Sequence, residues 1–291
     1  MVFGKVITLL FLLSFCITRA NGAECTDNEK RINEVNSRIL YDLNNVTKTP
    51  KTIEMSTVSE DGYIQEKGNV SFSRCGELMS GLMFQEKKSI APKGTLTTTF
   101  KYSLSKQDDG WSYRYDFKMV DTDRATQQQK QLSEQHTDGI FLLNKYGVIS
   151  RSSDRSEMTT GTVKNAGIAD TAFTLDNNNQ LKDVTRTSNI RSDNSKTNYE
   201  YDDKGRLKTK RSATEVAEYT YDELGREKSL FSTKTYFTID KTLTTCKSWN
   251  SNGQCTLAEQ QTKIIIPGIG ESKDKIEEHI ATLKYDYVYW D

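Results

Sequence analysis

The sequence predicts a mainly β protein: an antiparallel meander of β-hairpins that forms a large twisted sheet, a sandwich or an open barrel, with one short N-terminal helix. Three observations support this fold class. Apolar and polar residues alternate over many segments, turn sequences of the type Asp-x-x-Gly recur between them, and helical spacing is scarce. The 291 residues include only 3 prolines and 17 glycines, with 10% aromatic residues, which excludes a disordered or collagen-like chain.

Residues 1–22 have the three parts of a secretory signal peptide. Lys5 supplies the positive start, the apolar segment 6–15 follows, and small residues near Ala20 and Ala23 offer alternative cleavage sites. At 1.5 Å per helical residue, an apolar segment of this length is too short to span a bilayer. We therefore expect a protein that is periplasmic or secreted.

The charge balance predicts no nucleic-acid partner. The chain has 40 basic and 40 acidic residues, and loss of Lys5 and Arg19 with the signal peptide lowers the net charge from 0 to −2. Bacterial lipid anchoring requires a small residue before the acylated cysteine, whereas Cys16 follows Phe15 and Cys25 follows Glu24. We expect membrane association only if the chain is lipidated, for which these cysteines are poor sites.

Four cysteines remain after the signal peptide, an even number that suits disulfides in an oxidising compartment. Four cysteines allow three pairings. Cys246 and Cys255 flank an Asn252-Gly253 turn signal, so a hairpin would bring them opposite each other and leave Cys25 with Cys75. The sequence alone does not fix the pairing of Cys25 and Cys75. A zinc site is the weaker alternative, because no cysteine pair has the usual two-to-four-residue spacing.

Helix is expected only from Asn28 to Leu43, where apolar residues have helical spacing. The polar stretch 127–134 is predicted to be loop or exposed helix, and 150–164 and 188–196 are predicted to be long hairpin loops. The interruption at 121–137 separates an N-terminal hairpin region, 23–120, from a repeat-bearing β region, 138–291. We expect these two regions to pack as one continuous structure.

The most informative pattern is an internal repeat at 199–207 and 219–226. Its template is apolar-x-apolar-Asp-x-x-Gly-x-apolar, and looser copies occur at 141–149, 173–181 and, more weakly, 56–64. The aspartate side chain can accept hydrogen bonds from the turn backbone, and glycine adopts the left-handed conformation that closes the turn. The predicted turn residues are Asp202, Gly205, Arg206, Asp222, Gly225 and Arg226, with each arginine able to reach back to its aspartate.

Tyr199–Leu207 and Tyr219–Arg226 resemble the YD repeat of Rhs-type bacterial surface and toxin-encapsulating proteins. Over most of the mature chain, the sequence also resembles the YnfC-like enterobacterial lipoproteins, a family without an assigned function. The matching positions are Val58–Cys75, Tyr219–Gly225, Cys246–Cys255 and Tyr285–Trp290. This resemblance implies an envelope location and a β fold, but no chemistry.

The tyrosines have two interpretations. They either fill one face of the sheet as cross-strand packing pairs, which we favour, or form an exposed platform for a sugar or a protein. The possible binding aromatics are Tyr199, Tyr201, Tyr219, Tyr221, Tyr285, Tyr287 and Tyr289. The last three share one face of a final strand that we expect to be paired into the sheet.

No catalytic or phosphate-binding motif is present in the sequence. His136 is predicted to be a solvated residue in a polar loop and His279 an ordinary surface residue. The oxygen-rich segment 176–179 is explained by turn chemistry without calcium. We therefore predict no catalytic residues, no metal and no cofactor, and a non-catalytic binding module with a protein or carbohydrate partner. The alternatives are a periplasmic inhibitor or immunity-type protein that blocks an enzyme or toxin and, least favoured, a hydrolase.

Overall fold

Sixteen antiparallel strands follow one another around a closed barrel in the computed structural model, which describes residues 25–42, 48–91, 93–268 and 273–291. The predicted signal peptide lies outside the described residues. In chain order the elements are α1 (Asp27–Tyr41), β1 (Pro50–Ser59), β2 (Ile64–Phe72), β3 (Leu78–Ala91), β4 (Gly94–Gln107), β5 (Gly110–Asp123), β6 (Gln129–Leu143), β7 (Ile149–Thr160), β8 (Val163–Leu175), β9 (Leu181–Ser188), β10 (Ser195–Tyr201), β11 (Leu207–Arg211), β12 (Glu215–Tyr221), β13 (Glu227–Thr235), β14 (Ile239–Trp249), β15 (Cys255–Ile266) and β16 (Lys275–Tyr289).

The predicted antiparallel meander with one short helix is confirmed, and the sheet is closed. β1 pairs with β16, with Ile53 opposite Tyr287 and Ser59 opposite Ala281. Closure gives both terminal strands a partner, so the described strands leave no free sheet edge. The N-terminal hairpin region and the repeat-bearing region contribute neighbouring strands to this one barrel.

Side chains alternate between the inside and the outside of the barrel along the strands. Inward residues form three apolar clusters, and the one that packs with the helix comprises Leu40, Ile53, Val70, Phe72, Leu78, Leu104, Trp111, Phe141 and Ile149. On β5, the residues that alternate with the inward aromatics are Arg114, Asp116 and Lys118. On β5 the alternation therefore places aromatic rings inside and charged side chains outside, while other strands also expose apolar residues such as Ile168 and Ile280 on the outer wall.

Six hairpin turns in the described chain share one geometry, shown here for Asp202. Its Oδ1 accepts hydrogen bonds from the backbone N–H groups of Lys204 and Arg206 at 3.0 and 2.9 Å. Gly205 has φ 76°, a left-handed conformation that a side chain would strain. The corresponding turns begin at Ser73, Asn144, Asp176, Asp222 and Asn250. All six turns lie at one end of the barrel, which we call the helix end; the weaker copy at 56–64 forms a turn at the opposite end.

Three local predictions are wrong. Residues 129–134 belong to β6, and most of 150–164 belongs to β7 and β8. His136 therefore lies within a strand, not in a loop. These polar stretches are extended because their backbone groups pair with neighbouring strands, while inward residues such as Ser152 and Ser156 are buried between them. Residues 189–194, by contrast, do form the predicted loop between β9 and β10.

The helix α1 begins at a capping box in which the side chain of Thr26 accepts from the backbone of Glu29 and the side chain of Glu29 accepts from the backbone of Thr26. It ends at Asp42, which has φ 53°. The first two turns of the helix are exposed, whereas its last turns are buried in the barrel. The C-terminal end of the helix therefore lies deepest inside the barrel. None of the helical segments in the described residues has the length and apolar character that crossing a bilayer requires.

Candidate functional site

The arginine of each YD-like turn connects its own turn to the next hairpin. Arg206 Nη2 lies 2.6 Å from Asp202 Oδ2, and its guanidinium carbon lies 4.3 Å from the ring centroid of Tyr221. The same arrangement recurs one hairpin later in Arg226, Asp222 and Trp249, with an ion pair of 2.7 Å and a ring distance of 4.3 Å. These cation–π contacts bind successive hairpins together at the helix end.

The aromatic residue just before each turn reaches back to the preceding hairpin. Tyr221 Oη donates a hydrogen bond of 2.8 Å to the backbone oxygen of Leu207, the first residue of β11. Tyr201 makes the equivalent bond to Leu181 O, and Tyr287 of the final strand β16 donates in a similar way to Cys255 O. The repeat spacing thus places a phenol hydroxyl group where it satisfies a backbone acceptor next to a turn.

The seven tyrosines named as possible binding residues do not form an outward platform. The inward rings are those of Tyr199, Tyr201, Tyr219, Tyr221, Tyr285 and Tyr287, and Tyr289 at the helix end contacts Gln254. Burial, together with the nearby carboxylate of Glu227, raises the pKa of Tyr221 to about 12. A ligand reaches these rings only from within the barrel, and their role in binding stays a prediction.

Two asparagines of α1 fix the helix to the barrel rim. Asn36 Nδ2 donates to Gly147 O and its Oδ1 accepts from Ile149 N, both at 2.9 Å. Asn33 Nδ2 donates to Cys75 O at 2.8 Å. These contacts are not predictable from the sequence, because asparagine in a helix is usually a surface residue.

The buried end of the helix carries charge into the barrel. Arg38 is 7% exposed, and its guanidinium carbon lies 6.0 Å from the ring centroid of Tyr201. Asp42 Oδ2 pairs with Lys210 Nζ at 3.0 Å, while Asp42 Oδ1 is buried without a hydrogen-bond partner among the described residues. Desolvation lowers the pKa of Lys210, but Asp42 and Glu215 outweigh it and hold that pKa above its usual range.

A cavity of about 310 Å³ lies beside this end of the helix and opens between the turns at Gly225 and Gly253. Charged and aromatic groups line it together: Arg38, Asp42, Tyr221, Glu227, Trp249 and Tyr285. The volume lies at the lower limit of ordinary ligand sites. The arrangement suits a small polar molecule that contacts the aromatic side chains and forms hydrogen bonds.

Both disulfides lie at the helix end. The Cys246–Cys255 bond joins β14 to β15 and lines the cavity. The Cys25–Cys75 bond ties the chain two residues before α1 to the turn between β2 and β3, across 50 residues of sequence. The disulfides that the sequence predicts are therefore present, and the second one anchors the helix.

A buried ionic network that the sequence did not reveal connects β7, β9 and β5 inside the barrel. Asp154, whose side chain is 1% exposed, accepts from Arg186 Nη1 and Nη2 at 2.5 and 2.9 Å and from Tyr113 Oη at 3.0 Å. Asp193 in the β9–β10 loop accepts a further bond from Arg186 at 3.1 Å. The network holds that loop against the interior.

A second cluster lies at the opposite end. His279 Nδ1 lies 2.6 Å from Asp61 Oδ2, and its ring stacks on Tyr63 with centroids 3.8 Å apart. Burial alone would raise the pKa of Asp61, but hydrogen bonds from His279, the Tyr63 backbone and Ser59 lower it to about 2. The predicted surface histidine is therefore mostly buried, with His279 Nε2 lacking a hydrogen-bond partner among the described residues.

Within the described ranges, no group of three or more histidine, cysteine, aspartate or glutamate side chains is arranged to hold a metal ion. The oxygen-rich turn at Asp176 uses its carboxylate to accept from the backbone N–H groups of Asn178 and Gln180, both at 2.8 Å. Its geometry is that of the other repeat turns.

No protein-family model matches this sequence, and no curated protein is similar to it. A solved structure of a porin-like protein from Bacteroides uniformis is similar at a TM-score of 0.42 and 12% sequence identity. That match covers 82% of this chain and 97% of the other.

Proposed function

We propose that this chain is a non-catalytic binding protein of the bacterial cell envelope, located in the periplasm or secreted. The predicted signal peptide and the two disulfides favour an oxidising compartment outside the cytoplasm. The resemblance to the YnfC-like lipoproteins favours the same location. Because the expected lipidation sites are poor, the proposal does not include a lipid anchor.

A charged cluster on the outer face of β5 and β6 favours a watery environment at that part of the wall, while apolar residues such as Ile168 and Ile280 are exposed on other strands. On β5 and β6, Arg114 Nε pairs with Asp138 at 2.9 Å, and His136 contacts both Asp116 and Asp138. These groups lie well inside long strands, at the level where a membrane-spanning barrel carries its apolar band. A basic side chain facing lipid at that depth costs about 2–4 kcal/mol.

The cavity beside the helix carries the binding proposal. It brings the aromatic side chains of Tyr221 and Trp249 together with the polar side chains of Arg38, Asp42 and Glu227 in one lining. Aromatic walls with a few polar groups are typical of small-molecule sites. Of the two predicted partner classes, this lining favours a carbohydrate unit.

The test is a titration of the mature, disulfide-bonded chain with mono- and oligosaccharides, followed by tryptophan fluorescence, because Trp249 lines the cavity. Ala258 is buried in the cavity wall, so Ala258→Phe should fill the space and abolish the response. Ala166 is exposed on the outside of β8, so Ala166→Phe should leave it unchanged. A fluorescence response that persists in a folded Ala258→Phe variant contradicts the proposal. The absence of any fluorescence response of the wild-type chain to these sugars also contradicts it.

An inhibitor or immunity-type role is the second candidate, and one observation favours it. The β13–β14 hairpin ends in Tyr236 and Phe237, which are 70% and 97% exposed. A protruding apolar tip of this kind is suited to fill a partner's pocket. Phe237→Ser should then abolish co-purification with one defined partner enzyme, whereas Tyr146→Ser, at another exposed turn of the barrel, should not. If the partner enzyme co-purified equally with both variants, this role would be contradicted.

A further inference from the structure

Lys87, near the opposite end of the barrel, is an inward lysine without a carboxylate partner. It lies on β3 between Ile64 of β2 and Thr98 of β4, and its ammonium group lies 6.0 Å from the ring centroid of Tyr63. No carboxylate oxygen of the described residues 25–42, 48–91, 93–268 and 273–291 comes within 4.0 Å of it. Lys88, the next residue, points outward and pairs with Glu86 at 2.7 Å.

The surroundings of Lys87 make its charge costly. Desolvation lowers the pKa of its amine, and repulsion by Lys234 lowers it further, while Asp240 and Glu66 act in the opposite direction from a distance. A half-buried ammonium group gains most from a partner that brings a negative charge into direct contact. An anionic ligand would supply that contact.

Apolar side chains lie beside this cation on the same inner face. Met119 of β5 is opposite Thr98, and in the next row Phe100 faces Phe117. All three are half-buried, although they point into the barrel. The inner wall therefore places an apolar, partly aromatic strip next to a cation that has no ion-pair partner in the described chain.

We propose that the interior at this end binds an amphipathic organic anion. Its carboxylate or sulfonate group would pair with Lys87, and its acyl or aromatic body would lie on Met119, Phe100 and Phe117. This site is separate from the cavity beside the helix, and it does not depend on the saccharide proposal.

The experiment compares two fluorescent probes on the mature, disulfide-bonded chain: anionic 1-anilinonaphthalene-8-sulfonate and its neutral relative N-phenyl-1-naphthylamine. Lys87→Met should lower the affinity for the anionic probe by about tenfold or more, which is the loss expected for one charge-assisted contact. The affinity for the neutral probe should change by less than about twofold. Lys87→Arg should retain the binding. Lys88→Met is the matched control and should leave the affinity for both probes unchanged.

Several outcomes would overturn the proposal: no binding of the anionic probe to the wild-type chain, equal losses in Lys87→Met and Lys88→Met, or unchanged affinity in a folded Lys87→Met variant. Near-ultraviolet circular dichroism checks folding, and Lys87→Arg covers the case in which the methionine variant does not fold. Ala258→Phe should leave the anionic probe unaffected, which separates failure at this site from failure at the helix-end cavity.

Discussion

Arg186 donates two hydrogen bonds to Asp154, joining β9 to β7 inside the barrel across 32 residues of sequence. The carboxylate is almost completely buried, so it depends on the guanidinium for compensation. Side-chain hydrogen bonds to Asp154 hold the pKa of Arg186 above its usual range, although desolvation opposes them.

Arg186→Met should therefore lower the free energy of unfolding by about 3 kcal/mol or more, because it leaves a buried carboxylate unpaired. The double variant Asp154→Leu/Arg186→Met should be less destabilised than Arg186→Met alone. Urea denaturation measures both, and Arg155→Met, on the outer face of β7, is the control. If the double variant lost as much unfolding free energy as the two single substitutions together, the two side chains would not be coupled.

Tyr221→Phe should cost about 1 kcal/mol, because it removes the hydroxyl group that bonds to Leu207 O and leaves that acceptor without this partner. Tyr146 is 67% exposed in another turn at the same end, so Tyr146→Phe should change stability by less than about 0.5 kcal/mol. Guanidinium denaturation of both variants gives the comparison. Equal effects would mean that the inter-hairpin bond adds nothing.

The two disulfides should differ in what they contribute. A loop closed by the Cys25–Cys75 bond spans 50 residues and the Cys246–Cys255 loop spans 9, which in the chain-entropy treatment corresponds to about 4 and about 2.6 kcal/mol. Paired cysteine-to-serine variants, compared by denaturant unfolding, measure this order. Hydrogen exchange should also rise in α1 only when the Cys25–Cys75 bond is removed. A larger loss from the shorter loop would contradict the expectation.

His136 should titrate above the ordinary histidine range, because hydrogen bonds to Asp116 and Asp138 raise its pKa. A raised folded-state pKa stabilises the protein below the ordinary value, and this contribution is lost as the pH rises through the raised value. The chain has two histidines, so proton NMR can follow each ring. Asp116→Asn should move the pKa of His136 downward and flatten the pH dependence of unfolding. An unmoved titration would show that the contact does not persist in solution.

The sequence predicts correctly those elements that are specified by residues close together in the chain. Asp202 and Gly205 lie in one turn, so the backbone acceptor and the positive φ are specified within four residues. Cys246 and Cys255 were brought together by the same kind of hairpin. The predictions for the polar stretches 127–134 and 150–164 are wrong over most of their length, because composition does not show whether a polar residue faces water or a buried partner.

What the sequence by itself determined is the succession of hairpins and the cysteine pair that closes one of them. The tertiary structure decided that β1 meets β16, that the tyrosines face inward and that a helix occupies the barrel end. Gly81 illustrates the reason: the ring of Tyr41 lies 2.5 Å from where its Cβ would be, a constraint that exists only after closure. Such contacts join residues far apart in the chain, and no local pattern encodes them.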